Sequence, residues 1–140
     1  MLGLIYFQRF DILMFTETFQ RDPTSLRHFY CYETYAKKGE RGRPYGGLVV
    51  AIKPELKPCL LSSSDYHLTV ESCFGYFICC YFSPTCDTSL IIDTLEPILN
   101  SLDTRKTIIV GGDFNCRVDQ KESQRGKDLI GCLPILVSVS

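Results

Sequence analysis

The stretch from Thr107 to Asp119, T-I-I-V-G-G-D-F-N-C-R-V-D, constrains the fold more than any other part of the chain. Ile108, Ile109 and Val110 form a short β-branched run, the composition of a strand buried on both faces. Gly111 and Gly112 are expected to end that strand, and without Cβ atoms they permit a tight backbone and close approach of a ligand. Asp113 and Asn115 follow two residues apart. In extended geometry this spacing sets an anionic acceptor and a neutral amide on one face. A carboxylate and an amide at the carboxyl end of a buried strand can cradle a hard metal ion, a water and a phosphate oxygen. A bare G-D-x-N tetrapeptide reads first as an ordinary turn, so the rest of the chain has to decide.

The chain has 140 residues, enough for one domain with a real core. Hydrophobic residues make up 45% and charged ones 22%, the balance of a soluble globular protein. A net charge of −1 removes any global basic field, so nucleic-acid binding would need a local patch. The 8 cysteines include no C-x-x-C pair, and Cys79 and Cys80 sit inside an apolar run, so reduced, partly buried thiols are expected rather than zinc or a disulfide framework. Met1 to Phe10 is apolar but short and lacks a basic leader. It is not expected to be a signal peptide, and no run is long enough to span a membrane. An intracellular protein, nuclear or cytoplasmic and without a membrane partner, is the expectation.

In chain order, Phe10–Thr16 reads as a buried strand that delivers Glu17 at its carboxyl end. Ligands of open α/β sheets bind beyond such ends, so Glu17 can share a crevice with Asp113, although an exposed acid after a strand is common. Phe29–Tyr35 is rich in strand formers. A cationic loop follows with Lys37, Lys38, Arg41 and Arg43, and tyrosines at 30, 32, 35 and 45 lie nearby. This loop is the best candidate for phosphate contact, the plainer reading being a solvated turn. Gly46 and Gly47 then open the strand L-V-V-A-I. His67–Ser72 and Tyr76–Phe82 read as a hairpin joined at Cys73-Phe74-Gly75, with Tyr81 a phenol at a strand end that can donate to an anion or simply pack in the sheet. His67 is a possible base, but a histidine opening a strand is more often structural. Asp87 or Thr88 can cap a helix to about Leu102 with an apolar stripe at Ile91, Leu95, Ile98 and Leu102, interrupted by Pro97. After Asp119 the pattern decays, with a loosely placed strand at Ile135–Val139.

The segments D-I-L-M-F-T-E-T, G-R-P-Y-G-G-L-V-V-A-I-K, C-Y-F-S-P and I-I-V-G-G-D-F-N-C-R occur in this order between Phe10 and about Asp119. In that order the chain resembles the endonuclease/exonuclease/phosphatase superfamily, and in particular the apurinic-type endonuclease domains of non-LTR retrotransposons. The resemblance implies an α/β protein with a DNase I-like two-sheet α/β sandwich, of which this chain carries the front half over residues 1–119. A degenerate or poorly ordered tail is expected over 120–140. It implies dependence on Mg2+ (or Mn2+), DNA as partner, nicking of a phosphodiester, and a former fusion to a reverse transcriptase. By position, Glu17 resembles the family's metal-binding glutamate, Asp113 the aspartate that orients or deprotonates water, and Asn115 its phosphate-contacting partner. Tyr81 matches the active-site tyrosine, with Phe82 competing for that slot because Y-F-S-P is one residue longer than the common Y-x-P form. Lys37, Lys38, Arg41, Arg43 and Arg117 are the implied DNA-contacting cations.

The chain also departs from the family pattern. No asparagine precedes Asn100, no histidine follows His67, and the only aspartate beyond Asp119 is Asp128. The family's early asparagine and its late Asp-His pair therefore have no counterpart. The expectation is a truncated domain that does not cleave efficiently on its own. The alternatives are a phosphatase of the same superfamily, or a catalytically dead fragment that at most binds nucleic acid.

Overall fold

The computed structural model describes residues 9–39, 42, 44–115 and 127. Arg41, Arg43, Arg117, the strand expected over Ile135–Val139 and, apart from Lys127, the expected tail lie outside the described residues. Those described form a sheet-rich α/β arrangement of two packed sheets, a short ribbon and one α-helix.

The first sheet has the order β1-β5-β2, from Ile12–Thr16 (β1), Tyr30–Thr34 (β2) and Leu48–Ile52 (β5), all antiparallel. The unbroken apolar run L-V-V-A-I occupies the centre, where β1 and β2 saturate both its edges, and all five of its residues are buried. Between β2 and β5 the cationic segment folds back as a two-stranded ribbon, Lys37–Lys38 (β3) paired with Pro44–Tyr45 (β4). The expected loop is thus partly ordered by backbone pairing.

The second sheet has the order β6-β7-β8-β9, from Cys59–Ser63 (β6), His67–Ser72 (β7), Gly75–Tyr81 (β8) and Thr107–Asp113 (β9). β6, β7 and β8 are an antiparallel meander, and the β7–β8 turn needs only Cys73 and Phe74, because Ser72 pairs with Gly75. β9 runs parallel to β8, which requires a crossover. The crossover contains the helix α1, Thr88–Ser101. Asp87 has the extended backbone of a cap, yet its side chain makes no capping bond. Pro97 lies inside α1 without ending it; the missing N–H leaves one helical bond to the preceding turn unmade.

β8 is the hinge of the packing because its alternate residues enter two different cores. Ile78 and Cys80, with Phe82 just beyond, face Ile91 and Leu95 of α1, together with Val110 and Phe114. Phe77 and Cys79 point the other way and meet Leu48, Val50 and Ile52 of β5 and Leu68 and Val70 of β7, with Ile12 and Met14 of β1 at the margin. The layers are therefore sheet, sheet and helix. Cys31, Cys59, Cys73, Cys79 and Cys80 are free thiols, and burial pushes the Cys79 thiol up to about 12 and that of Cys80 well above its ordinary value. Among the described residues no helix is long and apolar enough to cross a membrane.

Three expectations need correction. Gly111 and Gly112 do not end β9 but lie within it, and pairing with β8 continues to Tyr81↔Asp113. β9 is not buried throughout, since Val110 alone is buried while Ile108 and Ile109 are half-buried. Among the described residues β9 pairs only with β8, so half its backbone and flank stay at the sheet margin. Finally, β6 was not expected at all: Leu60 and Leu61 are exposed, and a register shift between Leu60 and Ser62 breaks the alternation that would mark a strand.

Candidate active site

The carboxyl ends of β1, β8 and β9 meet at one margin of the two packed sheets. β1 delivers Glu17, and the Tyr81 hydroxyl donates to Glu17 Oε1 at 2.7 Å across 64 residues of sequence. Parallel pairing sets Tyr81 beside Asp113, whose backbone carbonyl accepts from the Phe82 N–H at 2.9 Å. The chain then turns at Asn115, whose N–H donates to Asp113 Oδ1 at 2.8 Å and whose side-chain Nδ2 donates to the Phe82 carbonyl at 2.8 Å. Glu17, Tyr81, Asp113 and Asn115 are thereby brought together.

The extended spacing expected of Asp113 and Asn115 is replaced by a tighter device. Asn115 adopts a left-handed backbone with φ 47°, so its side chain turns back toward β8 while its N–H holds the Asp113 carboxylate. Glu17 is also left-handed, at φ 51°. Such conformations in non-glycine residues cost on the order of 1 kcal/mol or more and gather where a side chain must be aimed. Glu17 is held by the next two residues: the Thr18 N–H donates to the Gly47 carbonyl and the Phe19 N–H to that of Gly46, both at 3.2 Å. Gly47 is required there, because at φ 92° a Cβ would lie 2.5 Å from Thr18 Oγ1.

Tyr81 and Phe82 enter different cores. Phe82 is fully buried, stacked between Tyr66 and Phe114 at ring separations of 5.8 Å and 5.7 Å. Tyr81 faces the other way and is half-buried. Burial foremost, then the hydrogen bond and charge of Glu17 and the charge of Asp113, push its phenol up to about 12. It is a proton-bearing donor at neutral pH, and it feels both carboxylates at once.

Neither histidine joins this group. His67 is buried, with Nδ1 2.8 Å from Ser64 Oγ and Nε2 3.2 Å from Ser62 Oγ, and burial lowers its pKa. Both ring nitrogens are occupied by hydroxyls, so His67 is structural. His28 lines a different cleft with Asp11 and Lys53, at the opposite end of β1.

Of the cationic residues, Lys37 is ion-paired with Asp65, 28 residues away, and Lys38 is exposed. Lys37 and Tyr45 also line a cleft that runs to Tyr81, so the ribbon adjoins the carboxylates. Asp65 is a site neighbour that the sequence offered no means of finding, since only the folded ribbon brings it to Lys37.

Among the described residues there is no group of three or more histidine, cysteine, aspartate or glutamate side chains able to hold a metal. The donors present are two carboxylates, and Mg2+ characteristically uses one or two while keeping several waters. Glu17 Oε1 is engaged by Tyr81, which leaves Oε2 for a cation, and in the next residue Thr18 Oγ1 is buried with no hydrogen-bond partner among the described residues. A hard, hydrated cation fits this oxygen set.

Residues 75–134 match the family model described as endonuclease-reverse transcriptase. The matched stretch begins with β8 and includes Tyr81, α1, Asp113 and Asn115. A search of curated proteins gave no significant match. The family match supports an endonuclease/exonuclease/phosphatase-like domain of retrotransposon type.

Proposed function

We propose that this chain carries the metal-binding and water-activating part of a DNA-nicking endonuclease domain with a DNase I-like sandwich, and that Glu17, Asp113, Tyr81 and Asn115 act on one phosphodiester. The observation that carries the reading is the convergence of Tyr81 on Glu17 next to Asp113, at the margin where three strands from two sheets end.

Each residue has a role consistent with its surroundings. Glu17 would hold Mg2+ or Mn2+ through the oxygen not bonded to Tyr81. A cation held there would supply positive charge against the negative charge developing on the phosphate. Asp113 has one oxygen fixed by the Asn115 N–H, so the other is presented in a set direction to accept a proton from the attacking water. Asn115 Nδ2 uses one hydrogen on the Phe82 carbonyl, and its second hydrogen is available to a phosphate oxygen. Tyr81, held protonated, keeps its one hydroxyl hydrogen on Glu17 Oε1 and so fixes the carboxylate that faces the phosphate. Lys38, with Arg41, Arg43 and Arg117, supplies charge for the flanking DNA backbone.

The 140 residues carry no histidine beyond His67, and both histidines lie away from these carboxylates. One missing donor to a developing oxyanion typically slows a reaction by on the order of 10²–10³. The chain on its own is therefore a slow nuclease. The test is nicking of supercoiled plasmid with protein in excess over DNA. Slow conversion that needs Mg2+ and disappears in Asp113→Ala is the expected result. Conversion indifferent to Asp113→Ala or to chelation, or none in long incubations, would overturn the reading. Faster phosphate release from a phosphoinositide would make the chain a phosphatase instead.

A further inference from the structure

We propose that the cleft at the amino end of β1 docks an arginine side chain presented by an extended, apolar-flanked segment of a protein partner. The cleft has a volume of about 540 Å³, and Asp11, Phe29, Lys53, Glu55, Leu56 and Phe74 line it. That is within the roughly 300–1,000 Å³ of ligand sites. It is remote from the candidate active site, since Asp11 precedes β1 and Glu17 follows it, and at about 3.3 Å per residue the strand puts roughly 20 Å between them. The proposal does not depend on the endonuclease reading.

Backbone bonds join three of the segments that build the cleft. The Lys53 N–H donates to the Asp11 carbonyl at 3.0 Å, and the Leu56 N–H donates to the Lys53 carbonyl at 3.0 Å, closing the 3-10 turn Pro54–Leu56. The Cys73 N–H donates to the Leu56 carbonyl at 2.9 Å, which ties the β7–β8 turn, and with it Phe74, to that 3-10 turn. The cleft is therefore formed before anything binds, and little order has to be created on docking. Phe29 and Leu56 are half-buried and give it an apolar floor. Phe74 is 68% exposed at the tip of its turn, so its ring adds little to either core and is free to meet a partner.

Charge selects the occupant. Lys53 Nζ lies 2.8 Å from Asp11 Oδ1, so those two groups balance one another. Glu55 is exposed and has no ion-pair partner among the described residues, which leaves the cleft a carboxylate without a counter-charge. Arg27 and Lys57 adjoin His28 and Leu56 in sequence but do not line the cleft. A carboxylate sharing a cleft with an exposed phenyl ring suits a flat cation. A guanidinium can place two N–H groups on the Glu55 carboxylate and its charge over an aromatic face, whereas an anionic ligand would meet Glu55 as a like charge. One arginine side chain leaves much of the apolar floor uncovered, so its carrier is a segment with apolar residues beside the arginine.

The test is a nuclear magnetic resonance titration of the isotope-labelled chain with the peptide acetyl-Leu-Arg-Leu-amide. The control peptide carries citrulline in place of arginine, which keeps the shape and removes the charge. Saturable shifts at the amides of Asp11, Lys53, Glu55 and Phe74 are expected, with the arginine peptide bound roughly 5- to 30-fold more tightly than the citrulline one, as one ion pair and one cation–π contact predict. Glu55→Gln should reduce the arginine peptide to the affinity of the citrulline peptide. Phe74→Leu, which keeps an apolar side chain but removes the ring, should cost about 2- to 5-fold. Both residues are exposed, so the fold is not at risk. Equal affinity for the two peptides, no saturable binding, or a preference that survives Glu55→Gln would overturn the inference. Shifts centred on Glu17 and Asp113 would overturn it too, by showing that the arginine seeks the carboxylates at the other end of β1.

Discussion

Replacing Gly112 by alanine should cost far more than replacing its neighbour Gly111. Gly112 holds φ +134° inside β9, and an added Cβ would fall 1.9 Å from the Cys80 carbonyl oxygen. The backbone strain alone is of order 1–3 kcal/mol. The overlap is with β8 backbone and not with a side chain that can rotate away, so β8 and β9 must separate locally. Separation loosens bonds such as Phe82 N–H to the Asp113 carbonyl, each worth about 1 kcal/mol net. The total is about 3–5 kcal/mol, a large share of the roughly 5–15 kcal/mol that holds a typical domain together. At Gly111 the added Cβ would meet only Met14 Sδ, at 3.4 Å, and a methionine end can shift. That change should cost about 1 kcal/mol or less. Urea denaturation of the two variants measures the difference. Equal midpoints, or a Gly112→Ala protein as stable as the parent, would show that the close β8–β9 approach does not set the position of Asp113.

Three further outcomes follow from particular contacts. The raised pKa of Tyr81 means that the folded state holds this proton more tightly than the unfolded chain. Its stabilising contribution is therefore complete below pH 10 and lost as pH rises toward about 12. Tyrosinate absorbance should show that Glu17→Gln lowers the midpoint of the step that Tyr81→Phe removes, and an unchanged midpoint would mean that Glu17 does not hold the phenol. Asp65→Asn should free Lys37 and tighten binding to fully paired DNA, with a salt dependence steeper by about 0.9 for one added phosphate contact, while stability changes little because the pair is solvent-exposed; an unchanged salt slope would remove Lys37 from the DNA-binding surface. Cys59 and Cys73 are exposed and should react with a thiol reagent in the native protein, whereas Cys79 and Cys80 should react only on unfolding, as mass-mapped labelling would report.

The parts of this structure that were legible in the sequence are those whose signals are local. The apolar runs of β1, β5 and β8 announced strands; Glu17 stands at a strand end because the apolar pattern stops there, and Tyr81 because the polar Ser83 and then Pro84 follow closely. The stripe of Ile91 and Leu95 marked the buried face of α1. What stayed hidden depends on partners distant in sequence or on two-sided burial. Y-F-I-C-C-Y-F is apolar on both faces, so no parity rule assigns Tyr81 to one side and Phe82 to the other; only α1 packing on Phe82 does. A glycine pair reads as a break, yet Gly112 is within β9 because its missing Cβ lets β8 come close. The ion pair of Lys37 with Asp65 and the strand β6 arise from how the ribbon and meander fold back, which no window of sequence contains.

Divalent-cation binding through Glu17, at the margin of the two sheets, is the point on which the proposed function turns. Mn2+ titration followed by electron paramagnetic resonance, with Mg2+ competition, addresses it without needing turnover. One Mn2+ per chain is expected, displaced by Mg2+, retained in Tyr81→Phe and lost or strongly weakened in Glu17→Gln. Binding in Glu17→Gln that equals the parent's would contradict it.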